Sequence, residues 1–185
     1  MNIPYYIKQM IVIPKEAKIG APKLDKYQKV SSFTIPGRGE LVKVSVGVNS
    51  KIPLRGVSWK QIEKPIKCLE FDNCNVAIRT GVINDITAFD LDLYKMDEDH
   101  IFLTTFKGEI KVHFNAFAVR SAKGGIHYYF DYDSDIKQTQ NDLGVDIRND
   151  GGIILCPPSK IDNGFYSIVN NVPTIKIPEK LKTWY

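Results

Sequence analysis

Ile86-Thr87-Ala88-Phe89-Asp90-Leu91-Asp92 reads as a strand that ends in two carboxylates one residue apart. Side chains alternate along a strand, so Asp90 and Asp92 project from one face while Phe89 and Leu91 enter the opposite layer. Two like charges side by side repel, and aspartate is depleted from strands. A solvent-facing strand edge is the plainer reading of such a pair; a divalent cation removes the repulsion and turns it into a metal site. Asp146, in Gly144-Val145-Asp146-Ile147-Arg148, is the third candidate acid. If its strand neighbours the first, the oxygen-only cluster suits Mg²⁺ or Mn²⁺.

His127 follows Ser121-Ala122-Lys123-Gly124-Gly125-Ile126. A histidine on a strand is ordinarily a satisfied structural residue. Here the glycines let backbone approach a ligand closely and Lys123 offers a cation, so the segment also fits a phosphate pocket with His127 donating to a phosphate oxygen. Asp146 and Arg148 share a face. Alone they read as an ion pair; beside the other two groups they read as an acid for metal and a guanidinium for phosphate.

Outward from these segments, Gly and Pro punctuate a series of short strands. Leu41 to Val48 alternates apolar and polar and is expected to be a strand, as is Ile7 to Ile13; a helix is expected around Trp59 to Lys67. Three hairpins are expected: Val76–Arg79 with Ile86–Asp92, Val112–Arg120 with Ile126–Asp131, and Val145–Ile147 with Ile153–Cys156. Residues 95–116 fit helix or strand. Aromatic and β-branched strands outnumber helices, so the fold class is α+β, with an antiparallel or mixed central β-sheet and flanking helices. At 185 residues the chain is expected to form a single domain over 1–185, with an N-terminal part, 1–48, and a core, 49–160, that carries the motifs.

The bulk numbers exclude several classes. With 43% hydrophobic and 25% charged residues the chain is neither disordered nor fibrous. Cys68, Cys74 and Cys156 form no CxxC pair and no cluster of zinc spacing, so neither a zinc site nor a disulfide framework is indicated. The start, Met1-Asn2-Ile3-Pro4-Tyr5-Tyr6, builds no apolar run of signal or transmembrane length, and a soluble, intracellular, cytoplasmic protein is the expectation. The net charge of +4 is compatible with a polyanionic partner without requiring one. Lysines concentrate early, at Lys8, Lys15, Lys18, Lys23, Lys26 and Lys29.

The ordered set Asn75-Val76-Ala77-Ile78-Arg79-Thr80-Gly81, Ala88-Phe89-Asp90-Leu91-Asp92, Ser121 to Phe130 and Gly144 to Ser159 resembles the primase-polymerase (Prim-Pol) domain of the archaeo-eukaryotic primase superfamily, in the form found in plasmid and viral replication proteins. Upstream, Lys51-Ile52-Pro53-Leu54 and Trp59 are similar to that family's early element. The resemblance implies an RRM-like catalytic core and assigns Asp90, Asp92 and Asp146 as metal-binding, catalytic carboxylates for two Mg²⁺ or Mn²⁺ ions. It implies that His127 contacts the phosphates of the incoming nucleotide, with Ser121, Lys123, Arg148 and Ser159 as further nucleotide contacts and Arg79 without an assigned role. The first acidic motif is often Asp-x-Glu in relatives and is Asp-x-Asp here, and no zinc-binding stem is visible.

The implied activity is that of a DNA primase and DNA polymerase, a nucleotidyltransferase acting in DNA replication. Its partners would be NTP or dNTP, a single-stranded DNA template with its primer, and a replicative helicase in cis or in trans, with no membrane. Two other readings are open: a metal-dependent nuclease that nicks DNA at replication initiation, and a non-catalytic nucleic-acid-binding module. The nuclease ordinarily needs a nucleophilic tyrosine or paired histidines, and no His-x-His occurs.

Overall fold

The computed structural model describes residues 33–47, 60 and 75–184. The expected strand at Ile7–Ile13, the helix at Trp59–Lys67, the early lysines, the Lys51–Trp59 element, Cys68 and Cys74 lie outside the described residues. The described strands are β1 (Lys43–Val46), β2 (Asn75–Arg79), β3 (Ile86–Leu91), β4 (Phe117–Arg120), β5 (Ile126–Asp131), β6 (Val145–Arg148), β7 (Ile153–Cys156), β8 (Lys160–Ile161), β9 (Gly164–Phe165) and β10 (Ser167–Asn170). The described α-helices are short: α1 (Ile101–Thr105), α2 (Lys107–Lys111) and α3 (Glu179–Lys182). The fold is α+β.

β1-β2-β7 form one sheet, β10-β4-β5-β3-β6 a second, and β8-β9 a small ribbon, with antiparallel pairing throughout. Strand alternation divides the larger sheet into two faces. Phe89, Leu91, Tyr128, Phe130, Val145 and Ile147 pack beneath the helices, where Phe102, Phe106 and Ile110 follow at four-residue spacing and fill the layer. Ile86, Ala88, Phe117, Val119 and Tyr129, on the other face, pack against Val76, Ile78, Ile154 and Leu155 of the smaller sheet. The order is therefore helices, large sheet, small sheet. Asp90, His127, Asp146 and Arg148 alternate with the helix-facing residues and so stand on the face turned to the small sheet.

Of the three expected hairpins only the middle one forms as such, between β4 and β5. Its first strand is shorter than expected because His113, Phe114 and Asn115 adopt left-handed backbone, at φ 50°, 54° and 53°, and insert Phe114 into the helix-side core. Residues 95–116 otherwise resolve into α1, α2 and short 3₁₀ turns. The other two turns form, but the strands they join go to different sheets: β2 pairs with β1 and β7, while β3 pairs with β5 and β6. β2 and β3 are buried along their whole length, and each is a central strand with both edges taken, so neither has an edge left for its neighbour in sequence. The β2–β3 connection thus becomes a crossover between sheets, and the β6–β7 connection is a second one, running from an edge strand of the large sheet to an edge strand of the small sheet. They touch: the Thr80 amide donates to the Gly152 carbonyl at 3.0 Å, and a Cβ on Gly81 (φ +88°) would lie 2.6 Å from the Asp150 Cα.

Candidate active site

Asp90 is the centre of the site because two strands flank its own. Its register partner is His127 on β5 and Asp146 on β6. Cross-strand partners sit about 5 Å apart, so a histidine and two carboxylates form a line across three adjacent strands. All three are nearly buried, with 7%, 3% and 6% of the surface of Asp90, His127 and Asp146 exposed. In the next row Arg148 lies opposite Ala88, whose small side chain leaves the guanidinium space on the same face.

Each acid is held by a hydrogen-bond donor. His127 Nε2 lies 3.2 Å from Asp90 Oδ1, Arg148 Nη2 is 2.8 Å from Asp146 Oδ2, and Lys95 Nζ is 2.7 Å from Asp92 Oδ2. The Asn141 amide donates to the second Asp146 oxygen at 3.1 Å. The hydroxyl of buried Tyr129 contacts His127 Nδ1 at 3.5 Å. With that hydroxyl as donor, Nε2 carries the imidazole proton and points it at Asp90.

Asp92 lies just beyond β3. Its φ of −81° and ψ of 69° start the turn that brings Lys95 back onto it, and its amide still donates to the Gly144 carbonyl at 2.8 Å, continuing the run of β3 alongside β6. The Tyr166 phenol records both early acids: burial pushes its pKa upward, and the negative charges of Asp90 and then Asp92 push it further. Tyr94 is raised for related reasons, burial first, then the charge of Asp92 and its hydrogen bond.

Asp90, His127 and Arg148 open on a cavity of about 330 Å³ between the sheets, with Gln138, Tyr166 and Ile154 among its walls. The volume is that of a small-molecule pocket. Lys123 is exposed on the β4–β5 turn and Ser121 is buried at its base. Gly125 sits against the end of β3, where a Cβ would come 2.5 Å from the Leu91 carbonyl oxygen. The glycine thus brings the turn to the acidic strand, and that packing is what its missing side chain permits. Ser159 is placed elsewhere. Its hydroxyl donates to the Val76 carbonyl at 2.9 Å and accepts from the Val76 amide at 2.8 Å, so it pins β2. Arg79 is nearly buried on β2.

The donor chemistry fits a hard divalent cation, since oxygen-only carboxylates on neighbouring strands are what Mg²⁺ or Mn²⁺ takes. Among the described residues no three His, Cys, Asp or Glu side chains already converge on one point. Asp92 and Asp146 instead turn to Lys95 and Arg148.

Tyr166, Gln138 and Gln140 also line the cavity and were not singled out from sequence. Tyr166 reaches the cleft through the two-residue turn Asp162-Asn163, which pairs Ile161 with Gly164. Gln138 and Gln140 flank Thr139, which bridges to Ile147 and extends the sheet edge beyond β6, a pairing with no periodic signature.

The line of acids, histidine and arginine thus stands over an inter-sheet cavity in an α+β fold. The chain belongs to the Prim-Pol family, bifunctional DNA primase/polymerase, N-terminal, whose sequence profile matches residues 48–181. That family is nucleotidyltransferase-like, generally uses divalent metals, and implies nucleic acid and nucleotides as substrates. No curated protein matches the chain. Among the described residues no helix is long and apolar enough to cross a membrane.

Proposed function

We propose that the protein is a DNA-dependent primase and DNA polymerase that transfers nucleotides from NTP or dNTP to a 3′-hydroxyl on a single-stranded template. The observation that carries this reading is the register of Asp90, opposite His127 on one side and Asp146 on the other. In the reaction the 3′-oxygen bonds to the α-phosphorus, the bond to the β-phosphate oxygen breaks, and pyrophosphate leaves. Asp90, Asp92 and Asp146 would hold a divalent metal, whose charge would lower the pKa of the attacking hydroxyl and neutralise the leaving group. Lys95 and Arg148, now paired with Asp92 and Asp146, would then turn to the triphosphate. His127 would give up its hydrogen bond to Asp90 and donate Nε2–H to a phosphate oxygen, and Lys123 and Ser121 would reach that phosphate from the β4–β5 turn. The near-complete burial of Asp90 and Asp146 strengthens each of these charge interactions.

Asp90→Asn and Asp146→Asn each keep the side-chain shape and remove the charge. Both variants are expected to lose primer synthesis and extension on a single-stranded template with Mn²⁺ and nucleotides while melting within a few degrees of wild type. Full extension by either sinks the assignment. Incubation with Mn²⁺ and supercoiled plasmid, without nucleotides, separates the nuclease reading: the proposal expects intact plasmid.

A further inference from the structure

The β8–β9 ribbon is too short to stand alone, at two residues a strand. Side chains and backbone from outside it hold it in place. The Asn75 carboxamide accepts from the Lys160 amide at 2.8 Å and donates to its carbonyl at 2.7 Å, and the Tyr166 amide donates to the Ser159 carbonyl at 2.9 Å. Gly164 presses on the β4–β5 turn so closely that a Cβ there would sit 2.0 Å from the Ala122 carbonyl oxygen. Alternation then turns Phe165 outward and Tyr166 back into the cavity.

Phe165 has no core to fill: it is 55% exposed. Its cross-strand partner is Lys160, whose ammonium lies 5.3 Å from the ring centroid. Exposed Lys123 is on the turn against which Gly164 packs. The ribbon's one acid, Asp162, is in its turn. An exposed aromatic paired with a lysine, one residue from the cavity wall, has the chemistry of a surface that stacks a base and neutralises its phosphate.

We propose that this ribbon is a stacking platform for single-stranded DNA, on which Phe165 takes an unpaired template base while Lys160 takes the adjacent phosphate and leads the strand to the cavity. The proposal rests on the reading of the protein as a template-dependent polymerase. Phe165 grips by the face of the base, so the platform is tolerant of sequence and selective for unpaired strands.

Fluorescence anisotropy of a labelled mixed-sequence single strand, without nucleotide or metal, tests it on the full chain. Phe165→Ala is expected to weaken binding about tenfold, the scale of one lost base stack, and Phe165→Trp to restore it. Lys160→Gln is expected to lower the slope of log affinity against log salt by about 0.7, one phosphate contact on a single strand. Unlabelled single strand should compete far better than blunt duplex. Unchanged binding by Phe165→Ala, equal competition by duplex, or no binding by wild type overturns the platform. Primer extension by the wild-type protein, measured in parallel, keeps the two ideas apart. Extension with unchanged Phe165→Ala binding removes the platform alone, and lost Phe165→Ala binding without wild-type extension removes the polymerase reading alone.

Discussion

At the scale of single residues, the site is a set of carboxylates that already have partners, and cations compete for them. Arg148 both neutralises Asp146, at 2.8 Å, and lines the cavity. Arg148→Gln therefore has two opposite expected effects: tighter Mn²⁺ binding, by several-fold, because a positive charge leaves the acid, and weaker nucleotide binding, because a phosphate contact is lost. Calorimetric titration with Mn²⁺ alone, then with nucleotide, checks both signs. Sequence made the chemistry-bearing residues legible, because alternation by two puts Asp146 and Arg148 on one face whatever the partner strand. It did not make legible the Lys95 and Tyr166 neighbours of Asp92, since they arrive through a turn and a distant ribbon. Nor did it make legible that the Ser159 hydroxyl bonds the β2 backbone, which only the chain path reveals.

At the scale of elements, turns were easier to read than partners. Gly81, Gly124 and Gly151 all have positive φ, at 88°, 86° and 76°, where Gly-containing turns were expected. Turn chemistry is local, so it is written in a few residues. Strand pairing is settled by which edges remain free after burial, and that is a property of the whole sheet. The β2–β3 and β6–β7 connections accordingly look like hairpins in sequence and serve as crossovers in space. Their contact tells where Asp90 and Asp146 meet. Gly81→Ala would drive a methyl into the Asp150 backbone at a φ that alanine avoids, and is expected to cost about 3 kcal/mol. Urea unfolding measures the loss, and extension activity should fall with it because the displaced crossover carries β3 away from β6.

The whole molecule encloses protonated groups that would ionise in alkali. Burial raises the pKa of Cys156 above its ordinary 9.0 and those of Tyr128, Tyr129 and Tyr166 above 10.0. Each holds its proton more tightly folded than unfolded, so the stability is full below about pH 9 and falls as pH rises past the unfolded values. The limiting slope is about 1.4 kcal/mol per pH unit for each such group. Lys43, lowered mainly by burial, acts in the opposite sense. Melting temperatures from pH 7 to 11 are expected to stay level and then drop steeply, and a flat profile to pH 11 would contradict the enclosed phenols.

The crossovers also govern when the site comes into being. Asp90 on β3 finds Asp146 on β6 only after the chain has passed through the α1–α2 layer and the β4–β5 hairpin and returned, and β2 waits longer still for β7. Such late, non-local closures are slow steps in folding. A ribosome must therefore release most of this chain before the acids can meet, and a nascent or truncated product carrying β3 without β6 holds half a centre. The pairing of Asp90 with Asp146 is thereby tied to synthesis of the chain through β6, a consequence of strand order alone.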